Sequence, residues 1–266
     1  MGGGDGVMAS IGTGAVSLGD SFMSFGTSAW VSTVAKGPMF DPERRNTNYP
    51  HIVKGLYLND GVMQCAGQSY AWSKQALGEE AWNVMRSADG AISELIAKSP
   101  TGANGVLFLP YLLGERCPWW NPDAKGSFLG LRMETSKADL LRAVMEGVAY
   151  NMAYITDLLR SNGSSLKEIT AVGGGVRGGV WRQILADAMD AEIRIPDLLE
   201  SATSFGAAIT GGLGVGVFTD VKRAAESFVK IREVCHPDPE RAAFYRKRRE
   251  LFVQCYRAME PYYQAL

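Results

Sequence analysis

Apolar residues recur along this chain at two spacings, and the changes between them mark its elements. Ser21-Phe22-Met23-Ser24-Phe25 and Ala29-Trp30-Val31-Ser32-Thr33-Val34 read as two strands joined by Gly26-Thr27-Ser28, a β-hairpin. Gly55 to Asp60 and the buried run Val106 to Leu109 read as further strands, as does Glu192 to Pro196, ended by its proline. Helical spacing appears in Ala66 to Leu77, in Ala81 to Ala97 and in Val221 to Val229. It is clearest in Leu140, Leu141, Val144, Val148, Met152, Ile155 and Leu159, where Ser136 and Asp139 predict a capping box and Gly163 a stop. This stripe reads as core.

Two helices carry unusually small residues. Val7 to Ala15 predicts a helix that lies close against a neighbour. Thr203 to Leu213 repeats Phe205, Ile209 and Leu213 every four residues, with glycine and alanine between. The stretch from Pro38 to Pro50 is polar and turn-rich and reads as loop. Pro239 to Met259 predicts a long terminal helix covering one face. Ile169 to Val172 reads as a strand running into Gly173-Gly174-Gly175, and Val180, Ile184, Leu185 and Ala188 then fall on one side of a helix. Strands come first and then alternate with helices, which argues for an α/β fold with a mixed sheet flanked by helices.

Composition narrows the function. The chain has 266 residues, 46% hydrophobic, with a formal net charge of -1. That is ample for a core and gives no global field for nucleic acid or an anionic membrane. No long apolar run or signal peptide is read in the sequence, and four separated cysteines without a CxxC suggest free thiols in the cytoplasm and no metal motif. Arg246-Lys247-Arg248-Arg249 reads as a solvated helix face.

Candidate chemistry lies in the turns. Glycines at a strand-to-helix corner let a ligand approach the backbone, and the unpaired amides of the following helix favour anions. The Gly26-Thr27-Ser28 tip offers amides and hydroxyls to a phosphate. Taken singly, both are equally ordinary turns. Pro110 to Asp123 combines tryptophans that read as core, an undecided Glu115-Arg116 pair and three prolines. The chain opens inside a glycine turn, Gly2-Gly3-Gly4-Asp5, as a fragment would.

Together these blocks resemble the FGGY carbohydrate kinases. Gly2-Gly3-Gly4-Asp5, Phe25-Gly26-Thr27-Ser28 and Gly173-Gly174-Gly175 occur in that family's order. Gly126, Phe128, Gly130, Leu131, Asp139, Leu140, Ala143, Val144, Met145 and Glu146 are similar to its C-terminal signature, and Leu109 to Arg116 and Trp181 to Asp187 look like further family blocks. The resemblance implies an actin-like ATPase (ribonuclease H-like) domain spanning 1–266, the second of two, with a sugar-binding N-terminal domain outside this chain.

It further implies Asp5 as catalytic base, Gly26, Thr27 and Ser28 as a phosphate motif, and Gly173, Gly174 and Arg177 as an adenosine motif. The substrates would be ATP with Mg2+ and a sugar. The sequence departs from the family at Gly178-Gly179, where relatives carry side chains that could bond the nucleotide. The start and the Trp30 to Pro42 region look most like xylulokinases, while Asp5-Gly6-Val7 with Pro110 to Arg116 also resembles gluconate kinases. A cleft face left bare is expected to favour a homodimer. A non-catalytic nucleotide-binding module on the same fold is the alternative.

Overall fold

A computed structural model describes residues 2–77, 90–197 and 199–266. Seven strands build its central sheet: β1 (Ser21–Phe25), β2 (Ala29–Ala35), β3 (Thr47–Pro50), β4 (Tyr57–Met63), β7 (Glu168–Val172), β8 (Glu192–Pro196) and β9 (Ile231–Cys235). Their order across the sheet is β3-β4-β2-β1-β7-β8-β9. Two short strands, β5 (Leu107–Leu109) and β6 (Ser127–Leu129), pair separately. The hairpin β1–β2 is antiparallel, and β1, β7 and β8 run parallel. Hence β1 and β7 end side by side, and the hairpin tip and the glycine corner leave the sheet together.

The helices are α1 (Asp5–Gly12), α2 (Gly67–Ala76), α3 (Gly90–Ala97), α4 (Lys137–Ser161), α5 (Gly179–Met189), α6 (Ala202–Gly214), α7 (Val221–Phe228) and α8 (Pro239–Gln264). Strand alternation divides them between the two faces. Phe22, Val34 and Leu58 pack with Val7 and Met8 of α1. Met23, Phe25, Val31, Ile169 and Ile193 pack with Val148 and Ile155 of α4, Ile184 of α5 and Phe252 of α8. Each such large apolar side chain contributes about 1.5–3 kcal/mol on burial.

α4 begins at the expected capping box: Ser136 Oγ accepts from the Asp139 amide at 3.2 Å, and the Asp139 carboxylate accepts from the Ser136 amide at 2.9 Å. Such a cap contributes about 1 kcal/mol. α1 ends where the Thr13 hydroxyl donates to the Ala9 carbonyl and Gly14 turns to a φ of 82°. The small residues serve the predicted close packing. A Cβ on Gly12 would lie 1.7 Å from the Ala202 carbonyl oxygen of α6.

Several expectations change. The polar stretch before Pro50 ends in an edge strand, β3, whose partner β4 supplies the order that its own sequence lacks. β9, at the other edge, is largely exposed and shows no alternation. The basic cluster is only partly solvated. Arg248 donates to the Gly105 carbonyl at 3.1 Å, Arg249 pairs with Asp157, and Arg246 pairs with Asp190 at 3.0 Å. Trp119 stacks on Tyr256 with ring centres 4.4 Å apart, whereas Trp120 is 70% exposed. All four cysteines are free thiols. Of the helix expected from Ala81 to Ala97, Gly90–Ala97 is seen; its earlier part lies outside the described residues.

Candidate active site

The hairpin tip is built to expose backbone. The Gly26 amide donates to the Ser28 carbonyl at 2.9 Å and closes the turn. The start of α2 then clamps it. Ala66 and Gln68 amides donate to the Thr27 carbonyl at 3.0 and 3.1 Å, and the Gly67 amide donates to the Gly26 carbonyl at 3.0 Å. A Cβ on Gly67 would lie 2.4 Å from that oxygen, so the clamp needs glycine. The Thr27 and Ser28 amides have no partner among the described residues.

The glycine corner meets the tip from the side. Gly173 has a φ of 100°, and a Cβ there would lie 2.5 Å from the Phe25 carbonyl oxygen. Gly175 presses against the Phe25 ring, while nothing lies within 4 Å of a Cβ placed on Gly174. The three glycines therefore differ: Gly173 turns the chain, Gly175 packs it, and Gly174 leaves room.

Between tip and corner lies a cavity of about 410 Å³. Gly26, Thr27 and Gln68 line one side, and Gly174, Arg177 and Gly178 the other. Tyr70, Ile96, Met145, Val180 and Trp181 add apolar surface. Trp181 is fixed by an edge contact with Phe25 at 4.7 Å between ring centres and by donation of Nε1 to the Met145 carbonyl at 3.2 Å. Gly178 begins α5 without a side-chain cap, so the amides of its first turn are left to other partners. An apolar slot beside amide-lined turns suits a planar heteroaromatic ring carrying phosphates. Arg177 is ion-paired with Glu200 at the rim.

Across the tip lies a second cavity, of about 260 Å³. Ser28 lines it from the hairpin, and Asp5 and Gly6 from the start of α1, with Trp30, Asp60 and Arg116 around them. Asp5 is exposed, and its Oδ1 accepts from the Gly6 amide at 2.9 Å. An acid in the first turn is favourably placed against the helix dipole. Asp60 is buried. Burial pushes its carboxyl up to about 7, with Asp5 adding to the shift and Ser32 opposing it.

The structure thus gathers Gly26, Thr27, Gly174 and Arg177 around one cavity and Asp5 with Ser28 around the other, while Gly173 stands behind the corner. It also separates the Glu115-Arg116 pair. Glu115 Oε1 accepts from the Gln64 and Arg116 amides at 2.7 and 2.8 Å, and Oε2 from Asn151 Nδ2 at 3.1 Å. Burial pushes this carboxyl up to about 8 against the pull of those donors. Glu115 braces the loop, and Arg116 faces the Asp5 cavity.

The signature helix is mainly architectural. Glu146 accepts from Arg142 at 2.7 Å, from the Gly102 amide at 2.9 Å and from the Tyr245 hydroxyl at 2.9 Å, tying α4 to α8. Sequence reasoning missed Gly67, Tyr70, Met145 and Asp60 as lining residues. Asp60 did leave a signal, a carboxylate inside an otherwise strand-like run.

Known proteins share the sequence and the fold. The C-terminal domain of the FGGY family of carbohydrate kinases matches residues 22–215. The chain is 33% identical to a xylulose kinase of Staphylococcus epidermidis over 256 residues, covering 96% of this chain and 50% of that protein. It is 32% identical to a gluconokinase of Bacillus licheniformis, covering 99% of this chain and 52% of that one. The crystal structure of a ligand-bound xylulose kinase from Lactobacillus acidophilus superposes with a TM-score of 0.89 at 28% identity, covering 99% of this chain and 52% of that one. The chain spans about half the length of the curated relatives it matches.

Proposed function

This chain belongs to the FGGY family of carbohydrate kinases, and we propose that it supplies the nucleotide-binding half and the catalytic base of an ATP-dependent sugar kinase. D-xylulose is the first acceptor to test, because xylulose kinases recur among its relatives; gluconate is the second, on the strength of the gluconokinases. The observation that carries the reading is the shared hairpin tip. Thr27 lines the glycine-corner cavity and Ser28 lines the cavity of Asp5, so one turn adjoins both.

In the proposed reaction the nucleotide lies between tip and corner, base against the apolar side and phosphates along the turns. Asp5 accepts the proton of an acceptor hydroxyl as its oxygen bonds to the γ-phosphorus and ADP leaves. The Thr27 and Ser28 amides stabilise charge on the transferring group. Magnesium carried by the phosphates would neutralise their charge. Among the described residues no group of three or more histidine, cysteine or acidic side chains could hold a metal, so those residues offer the ion no cage of their own.

The rest of the acceptor site belongs, in this reading, to an N-terminal half facing the two cavities. The chain alone is therefore expected to bind ATP–magnesium weakly, to turn over negligibly because acceptor and phosphate are not held together, and to self-associate through its uncovered face. Calorimetry, a coupled ADP assay and light scattering check these three points. The deciding test is the assay on the kinase that contains this chain, with xylulose and with gluconate. ATP binding without turnover of any sugar or polyol would instead support a non-catalytic nucleotide-binding module.

A further inference from the structure

α1, the helix that begins with Asp5, rests on more than its close contact with α6. The turn that joins β3 to β4 also supports it. Ile52 of that turn packs on the cluster that contains Val7 and Met8 and on the one that contains Ile11 and Val16. His51 opens the turn and is 7% exposed. Its ring is held at both nitrogens. Nδ1 accepts from the Val53 amide at 3.0 Å, and Nε2 lies 3.0 Å from Ser10 Oγ of α1. The Ser10 hydroxyl gives its one proton to the Val7 carbonyl at 2.8 Å, so toward His51 it accepts. These partners assign the tautomer: the proton is on Nε2 and the ring is neutral.

We propose that His51 is a positioning residue for Asp5: the neutral ring tethers α1 to the β3–β4 turn through Ser10, and a second proton on the ring releases the tether and lowers kcat. The inference rests on the kinase reading above, which makes Asp5 the base. A second proton enters at Nδ1, where it meets the Val53 N–H. That hydrogen bond is then lost and the turn rearranges. Ser10 and Asp5 stand on the same eight-residue helix, so a shift at one end is carried to the other. Misplacing a reacting group by a fraction of its contact distance can cost up to about 10²-fold in rate.

The surroundings set the direction of the pH dependence. Burial holds the ring below its ordinary 6.5, with the Ala15 carbonyl and the Asp20 carboxylate opposing. Asp20, in the loop after α1, accepts from the Val16 and Ser17 amides at 3.0 and 2.7 Å. Of the other titratable groups on the elements around the ring, α1 carries Asp5 at its far end, β4 carries Tyr57 and Asp60, Lys54 of the turn is exposed, and α6 carries none. The tether is therefore complete above 6.5 and is lost as pH falls below it. Melting reports it poorly, because the raised carboxyls of Glu115 and Asp60 move stability the opposite way. kcat reports it directly.

The experiment uses the kinase that contains this chain, as wild type, His51→Gln and Ser10→Ala, each verified as folded by circular dichroism at every pH. kcat is measured at saturating acceptor and ATP from about pH 5 to pH 8. The wild type should lose activity on the acid side. His51→Gln keeps a donor toward Ser10 but cannot take a second proton. It should hold kcat within about threefold of the wild type at the alkaline end and move the acid fall to lower pH. Ser10→Ala leaves the ring untethered and should lower kcat by about tenfold, the effect of one lost hydrogen bond, with the KM for ATP unchanged; it serves if the Gln variant does not fold. Nitrogen NMR of the wild type, with the His51 ring identified by its absence from His51→Gln, should show Nε2 protonated at the alkaline end. A ring protonated at Nδ1 instead, an acid fall that is the same in wild type and His51→Gln, or an undiminished kcat in Ser10→Ala overturns this inference and leaves the kinase reading standing. A wild type that turns over no sugar or polyol overturns the kinase reading and this inference with it.

Discussion

Gly206 of α6 approaches the Met8 carbonyl of α1 so closely that a Cβ there would lie 1.8 Å from the oxygen. The contact fixes the helix that begins with Asp5. Gly206→Ala should therefore displace α1, cost about 1–3 kcal/mol of stability as overpacking does, and lower kcat. The glycine corner lies elsewhere, so ATP affinity should change little. Thermal melting and calorimetry on the same preparation check both halves.

Asp5→Ala in the kinase that contains this chain should lower kcat by on the order of 10²–10⁴, the usual range for a general base. The Kd for ATP should stay within about twofold, since the proposed nucleotide site lies across the tip. If instead nucleotide affinity collapses while kcat survives, Asp5 is a structural residue of the first turn.

Gly174 and Gly175 are neighbours with opposite expectations. Gly174→Ala places a methyl in open space beside the cavity, so the fold should be preserved and ATP binding weakened. Gly175→Ala would place its Cβ 1.6 Å from Phe25 Cδ1, so stability should fall by about 1–3 kcal/mol. Equal melting temperatures for the two variants would contradict the division of roles.

Glu115 predicts a pH dependence of stability. Its carboxyl is raised from 4.5 to about 8 in the folded chain. Folded protein then holds the proton more tightly than unfolded, and unfolding releases it. The contribution is full below the unfolded value and is lost as pH rises toward the folded one. Asp60, raised from 3.8 to about 7, acts in the same direction. The melting temperature should therefore fall from about pH 5 to pH 8, and Glu115→Gln should flatten that slope. A variant slope equal to that of the wild type would mean Glu115 is ionised throughout.

The parts of the fold legible in the sequence are those whose order is local. Ser136 and Asp139 cap α4 from three residues apart, and Gly26-Thr27-Ser28 turns the hairpin between two short apolar-rich runs. β3 and β9 are not legible, because each is an edge strand paired on one side only and largely exposed, so neither run carries an apolar pattern of its own. The site divides along the same line. The corners and Asp5 are visible as turns in a familiar order. Asp60 and Met145 acquire their positions from strand register and from the packing of α4, which no short window contains. Trp119 and Trp120 show the limit most simply: adjacent in sequence, one stacks on Tyr256 and the other faces water.

The turn bearing Thr27 and Ser28 is a party wall. If the proposed sites are right, a shift that seats a triphosphate on one side should be felt by whatever occupies the other, and thermodynamic reciprocity would make the influence equal in both directions. Saturation with either substrate should therefore change the affinity for its companion by one common factor. The order in which the two arrive would then alter the route to the ternary complex, not its final occupancy.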